Sequence, residues 1–115
     1  MTKVPKVPKA PRHLRKATRR WWESVMSGFE LEDHHARLLT LAAESWDRCV
    51  EARERLAVDG AYVKDRFGCL KAHPAVVVER DSRIAFCRCL RELDLDIELP
   101  GEQKRPPALP RYERR

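Results

Sequence analysis

Acidic residues are absent from the first twenty positions, glycine is scarce throughout, and no hydrophobic run is long. Each absence excludes something. No apolar stretch approaches the roughly 18 residues of a membrane span, so no membrane partner is expected. The basic N-terminus has no apolar segment behind it and does not read as a secretory signal, which points to the cytoplasm. A phosphate-binding loop G-x-x-x-x-G-K-[ST] is missing, as are G-x-S-x-G and H-E-x-x-H. Nothing in the chain argues for catalysis, and it is expected not to be an enzyme. The four cysteines, Cys49, Cys69, Cys87 and Cys89, form no C-x-x-C pair. Cys49 and Cys87 are expected on apolar helix faces as reduced thiols. A zinc set of Cys69, His73, Cys87 and Cys89 has a C-x-C spacing that suits tetrahedral sites poorly. No metal and no other cofactor is therefore expected.

Charge is what the sequence has in plenty. Charged residues make up 37% of 115 positions and aromatics only 7%, a balance that suits amphipathic helices in about one domain. The net charge of +6 is uneven: residues 1–20 carry +8, residues 21–100 carry −5 and residues 101–115 carry +3. A slightly acidic body with two basic ends suggests arms that seek polyanions.

The fold expected is mainly α: a long helical hairpin, a small β-hairpin and a third helix. Residues 1–11 repeat a Lys-x-Pro beat with no apolar period and read as a flexible basic arm. Residues 12–96 form the helical core and oligomerisation domain. A first helix is predicted over 12–27, with Leu14, Ala17, Trp21 and Val25 as its apolar stripe and Gly28 as its stop. A second runs over 33–58. Leu38, Leu39, Ala42, Ala43, Trp46, Cys49, Val50, Leu56 and Ala57 share one face. Glu44, Asp47, Arg48, Glu51, Glu54 and Arg55 share the other, with Glu44–Arg48 and Glu51–Arg55 as i,i+4 pairs.

Gly60 ends that helix. Tyr62–Lys64 and Cys69–Lys71 then flank a turn in which Gly68 can take positive φ, the pattern of a two-stranded hairpin. Such a hairpin is marginal alone and must lean on a helix or a neighbouring chain. His73-Pro74 closes it, since proline suits the first turn of a helix and steers the residue before it away from α. The third helix is predicted over 74–94, with Val78, Ser82, Ala85, Phe86, Cys89, Leu90 and Leu93 on its core face. Residues 97–115 are a Pro-rich basic tail.

Two constellations carry functional meaning. Lys3, Lys6, Lys9, Arg12, Arg15, Lys16, Arg19 and Arg20 can neutralise phosphates and release counterions, which sets affinity for DNA and not base choice. On the third helix, Val76, Val77, Arg80, Arg83, Ile84, Arg88 and Arg91, with Cys87, mix aliphatics and arginines. That mixture suits neither plain solvent nor a buried core, and it fits a surface shared with another subunit. Trp21 reads as core and Trp22 is open between core and base stacking. His34-His35 lacks a suitably spaced third ligand. Asp47, Glu51 and Glu54 share a side with arginines, the mark of a solvated face rather than an acid–base dyad.

Three segments in order, "HLRKATRRWWESV", "LEDHHARLLTLAAESWDRCVEARE" and "DRFGCLKAHPAVVVERDSRIAFCRCLRELDLD", resemble the small terminase subunits of tailed double-stranded DNA phages and prophages. The likeness spans roughly residues 12–96 and lies in the order and spacing of degenerate motifs. It implies a non-enzymatic protein of the host cytoplasm that assembles into a homo-oligomeric ring. It also implies binding of double-stranded phage DNA and its delivery to the large terminase subunit, the ATPase and nuclease that packages the genome. The chain has no separate helix-turn-helix module, which leaves shape or bend recognition through the DNA backbone as an option. The alternatives are a helical adaptor or head-morphogenesis protein that binds only protein, and a small zinc nuclease using His73 and the cysteines.

Overall fold

A computed structural model describes residues 8–95 and 100. Three helices and one small antiparallel sheet follow in the order α1 (Lys16–Gly28), α2 (Asp33–Asp59), β1 (Tyr62–Lys64), β2 (Leu70–Ala72) and α3 (Pro74–Leu93). The expected mainly α architecture is present, with a long helical hairpin and a two-stranded sheet. None of the helices in the described residues is long and apolar enough to cross a membrane.

α2 is the spine. At 27 residues it extends about 40 Å. Glu32 stands at its N-cap with Asp33 in the first turn, where a carboxylate meets the positive end of the helix dipole. Gly60 at φ 81° ends it, its N–H bonding back to Leu56. α3 packs antiparallel along α2, and α1 crosses the same apolar side. The core joins Leu14, Trp21, Trp22 and Val25 to Leu39, Ala42 and Ala43 of α2 and to Phe86 and Leu93 of α3. Phe86 lies between two indoles, 6.1 Å from the Trp21 ring and 5.0 Å from that of Trp46. Such tilted pairs add to area burial.

α1 starts at Lys16 and not at residue 12. Residues 11–14 make a turn, with Leu14 N–H bonding to the Pro11 carbonyl. The cap comes from another helix: the Asp47 carboxylate accepts the Arg15 N–H at 2.8 Å and the Thr18 hydroxyl. The buried stripe of the helix is Thr18, Trp21, Trp22 and Val25, while Ala17 is exposed. The arm also packs before the turn. Ala10 is buried, and its N–H donates to Glu23 on α1 at 3.2 Å.

Smaller corrections follow from the same packing. Ala57 is exposed, and no residue of α2 beyond Ala52 is buried, so the helix outlasts its core. On α3 the residues Ser82, Phe86 and Leu93 are buried as expected and Ala75 joins them, while Val78 is 40% exposed beside an open groove. Cys87 is exposed, whereas Cys49 is buried. The expected pairs Glu44–Arg48 and Glu51–Arg55 are replaced. Glu44 meets His13 at 3.1 Å, and Arg55 meets Asp59 at 2.9 Å.

The second strand is one residue later than expected. Tyr62 faces Ala72, Val63 faces Lys71 and Lys64 faces Leu70. Cys69 belongs to the turn, where the Asp65 carboxylate accepts the N–H groups of Phe67 (2.8 Å) and Cys69 (3.0 Å) and Gly68 takes φ 80°. This is an Asx-type turn, in which a side chain substitutes for missing ladder bonds. His73 then does three things. Its N–H donates to the Ala61 carbonyl, its Nδ1 accepts the Ala75 N–H as the cap of α3, and its Nε2 donates to Asp59 at 2.9 Å. The sequence "HP" is therefore a cap followed by a first-turn proline, with an added clasp to the end of α2.

Candidate nucleic-acid interface

The basic residues of the N-terminal part do not behave alike. Lys9, Arg12, Lys16 and Arg20 are exposed and have no acidic partner among the described residues. Arg15 is different, because its guanidinium pairs with Glu54 of α2. Arg19 is half-buried with an Nε that has no partner. Lys3 and Lys6 lie outside the described residues, as does the tail 97–115 apart from Pro100. The eight candidates thus divide into four free surface cations, two drawn toward the body and two undescribed.

The arm doubles back along α1, so Lys9 sits beside Arg20 in a shallow depression that also includes Glu23 and Ser24. At the other end of α1, Arg15 joins Arg48 and Arg55 of α2 around a groove of about 730 Å³ floored by Ala52, Val58, Pro74, Ala75 and Val78. Glu51 and Glu54 share this rim. Pro74 places the groove at the base of the β-hairpin. The basic start of α1 and the hairpin therefore occupy the same end of the molecule, although some fifty residues separate them in the chain.

The candidate subunit surface on α3 is open to solvent in the single chain. Val77 is 46% and Ile84 43% exposed, Val76 is half-buried, and Arg80, Arg83, Arg88 and Arg91 are all exposed. Arg83 also serves the monomer. It pairs with Glu79 at 3.4 Å, and Glu79 in turn holds Arg53 of α2 at 3.3 Å and the Cys49 thiol. Burial, followed by the charge and hydrogen bond of Glu79 against the opposing arginines, pushes the Cys49 thiol up. Burial and then Glu92 raise Cys89 in the same way. These thiols are poor nucleophiles. Arg80 pairs weakly with Asp81, while Arg88 and Arg91 have no acidic partner among the described residues.

Other candidates resolve toward structure. Trp22 is buried and donates its indole N–H to Thr40 at 3.2 Å, so it does not stack on bases. Asp47, expected on a solvated face, caps α1 instead. Both ring nitrogens of His73 are engaged within the chain, and the cysteines are not gathered around it, so the zinc set Cys69, His73, Cys87 and Cys89 does not assemble. His34 and His35 do gain a third neighbour that spacing missed. Donor atoms of Glu32, His34 and His35 lie within 4.8 Å of one another. Two of the three are exposed, and His34 Nδ1 already pairs with Glu32 at 3.4 Å, so the group is an exposed polar cluster at the start of α2.

No protein-family model matches the chain, and no curated protein and no solved structure matches it. The case for function rests on its own residues.

The hairpin contributes cations that the sequence reading passed over, Lys64 and Arg66, together with exposed aromatics. Its acid is spent internally. The Asp65 carboxyl is held below the ordinary aspartate range by the Cys69 N–H first, then by the Phe67 N–H and Lys71. The Asp59 carboxyl is held down by its bond to His73, with Arg55 adding to it. The available signal was compositional: residues 62–72 contain three bases and one acid.

Proposed function

We propose that this chain is a small terminase subunit. It binds double-stranded DNA through its basic end, assembles into a homo-oligomeric ring and presents DNA to a large packaging subunit. The observation that carries the DNA half is the exposed set Lys9, Arg12, Lys16 and Arg20, cations with no acidic partner among the described residues. Phosphates are their natural counter-ions, and contacts of this kind give affinity without base choice. The ring half is supported by the α3 face, where Val77 and Ile84 stand exposed among Arg80, Arg88 and Arg91.

The test is native mass spectrometry of the protein with and without a short duplex, combined with a salt titration of duplex affinity. A discrete many-copy assembly with a steep salt slope supports the reading. A monomer that ignores DNA at low salt sinks it. Removing residues 1–20 is the wrong way to probe the basic end, because it takes Ala10, Leu14 and Thr18 out of the core. Glutamate substitution of Lys9, Arg12, Lys16 and Arg20 keeps those contacts and should abolish binding.

The second reading, an adaptor that binds only protein, draws on one observation. Arg15 is neutralised by Glu54, and Glu44 stands against His13, so part of the basic end is answered within the chain. No duplex binding even at low salt, with a protein partner still bound after the four substitutions, would favour it.

A further inference from the structure

The β-hairpin is the least explained part of the molecule. None of its residues is buried. Tyr62, Phe67 and Leu70 are 71%, 77% and 69% exposed, the largest apolar exposures after Val58 at 81%. An isolated two-stranded hairpin is marginal in water. This one is held by the Asp59–His73 clasp at its base and the Asp65 turn at its tip, not by packing.

We infer that the hairpin is a second DNA-contacting element: a ribbon that enters a groove of the duplex with Phe67 leading and Lys64 and Arg66 on the flanking phosphates. This rests on the DNA-binding reading above and deepens it by naming a contact outside the N-terminal part.

Four observations converge. First, charge is complementary to a polyanion. Asp65 is committed to the turn and to Lys71 at 3.4 Å, whereas Lys64 and Arg66 have no acidic partner among the described residues. Second, cation and aromatic are already combined, with the Arg66 guanidinium 5.1 Å from the centre of the Phe67 ring. A guanidinium over a ring with open surroundings presents both a charge and an apolar face. Third, the dimensions fit. Two strands about 4.8 Å apart and about 10 Å long match a major groove about 12 Å wide and 8.5 Å deep, which admits a two-stranded ribbon. Fourth, the position is right. The groove at the hairpin's base runs from Pro74 to Arg15 at the start of α1; Arg15 and Arg55 there are paired with Glu54 and Asp59, while Arg48 has no acidic partner among the described residues, so one duplex can meet both elements. A strand of another protein is a poorer occupant, because three-residue edges offer few free backbone groups for pairing.

The experiment uses the full chain, a fluorescently labelled duplex of about three helical turns and a series of salt concentrations. The variants are Lys64→Ala with Arg66→Ala, and separately Phe67→Ala. The double variant should bind about tenfold more weakly and lower the log–log salt slope by about 2, since each lost phosphate contact removes about 0.9. Phe67→Ala should weaken binding with the slope unchanged, because an apolar contact releases no counter-ion. Both should keep the wild-type melting temperature and copy number by native mass spectrometry. Wild-type binding that neither variant alters overturns the hairpin assignment and leaves the basic N-terminal part as the DNA site. Loss of copies from the assembly together with loss of DNA overturns it in favour of a subunit contact. A wild-type protein that binds no duplex overturns the DNA reading itself.

Discussion

The two ends of α2 are organised by different forces. Around its first half, Leu39, Ala42 and Ala43 are fully buried beneath Trp21, Trp22 and Phe86. Past Ala52 nothing on the helix is buried, and order depends on polar clasps: Arg55–Asp59, Asp59–His73 and the Asp65 turn. Apolar burial near one end supplies stability. Directed hydrogen bonds at the other fix geometry while leaving cations and aromatics free. A binding surface is best built where the core does not need the side chains.

The sharpest way to break this contrast is in the core. Phe86→Ala removes the ring held between Trp21 and Trp46 and should cost about 3–5 kcal/mol, read as a large fall in the urea midpoint. A loss no greater than that of a hairpin variant would contradict the division. Next comes Asp47→Ala, which strips the start of α1 of the carboxylate that caps it and should cost about 1–2 kcal/mol. Amide exchange should quicken at Arg15 and Arg19 before it does in α2.

His73→Ala should cost about 1 kcal/mol through the lost cap of α3. His73→Asn should recover most of that, because Asn caps well, yet leave the hairpin less fixed without the bond to Asp59. Equal melting temperatures for the two variants would show that the cap matters little.

The smallest effect is with pH. Asp59 and Asp65 are both held below the ordinary aspartate value of 3.8 in the folded chain. The unfolded hairpin therefore binds protons first, and the stability these groups add is present above that value and lost as pH falls below it. Amide exchange at Phe67 and Cys69, corrected for intrinsic pH dependence, should show the hairpin loosening in acid while α2 stays protected. Equal protection at pH 6 and pH 3 would contradict it.

Much of the fold was legible in the residues. The long apolar period of α2 marked it out to within a residue at each end, Gly68 marked the hairpin turn, and His73-Pro74 marked the start of α3. Those signals are local, carried by spacing and by backbone chemistry within a few positions. The start of α1 was not legible, because its cap, Asp47, lies 32 residues from Arg15. The neutralisation of Arg15 by Glu54 escaped notice for the same reason. Lys64 and Arg66 passed as ordinary strand and turn residues, since only the folded chain brings them to the end that carries Arg15, Arg48 and Arg55.

The carbonyl of Ala61 and the N–H of His73 meet at 2.8 Å. The eleven residues between them form a closed loop on a shared doorstep. The α2–α3 pair therefore does not register what the hairpin contains. Longer, shorter or differently charged versions can be exchanged there like a cassette, at a closure cost that grows only slowly with length. A change in what the tip touches is therefore expected to leave the helices that hold it unaltered.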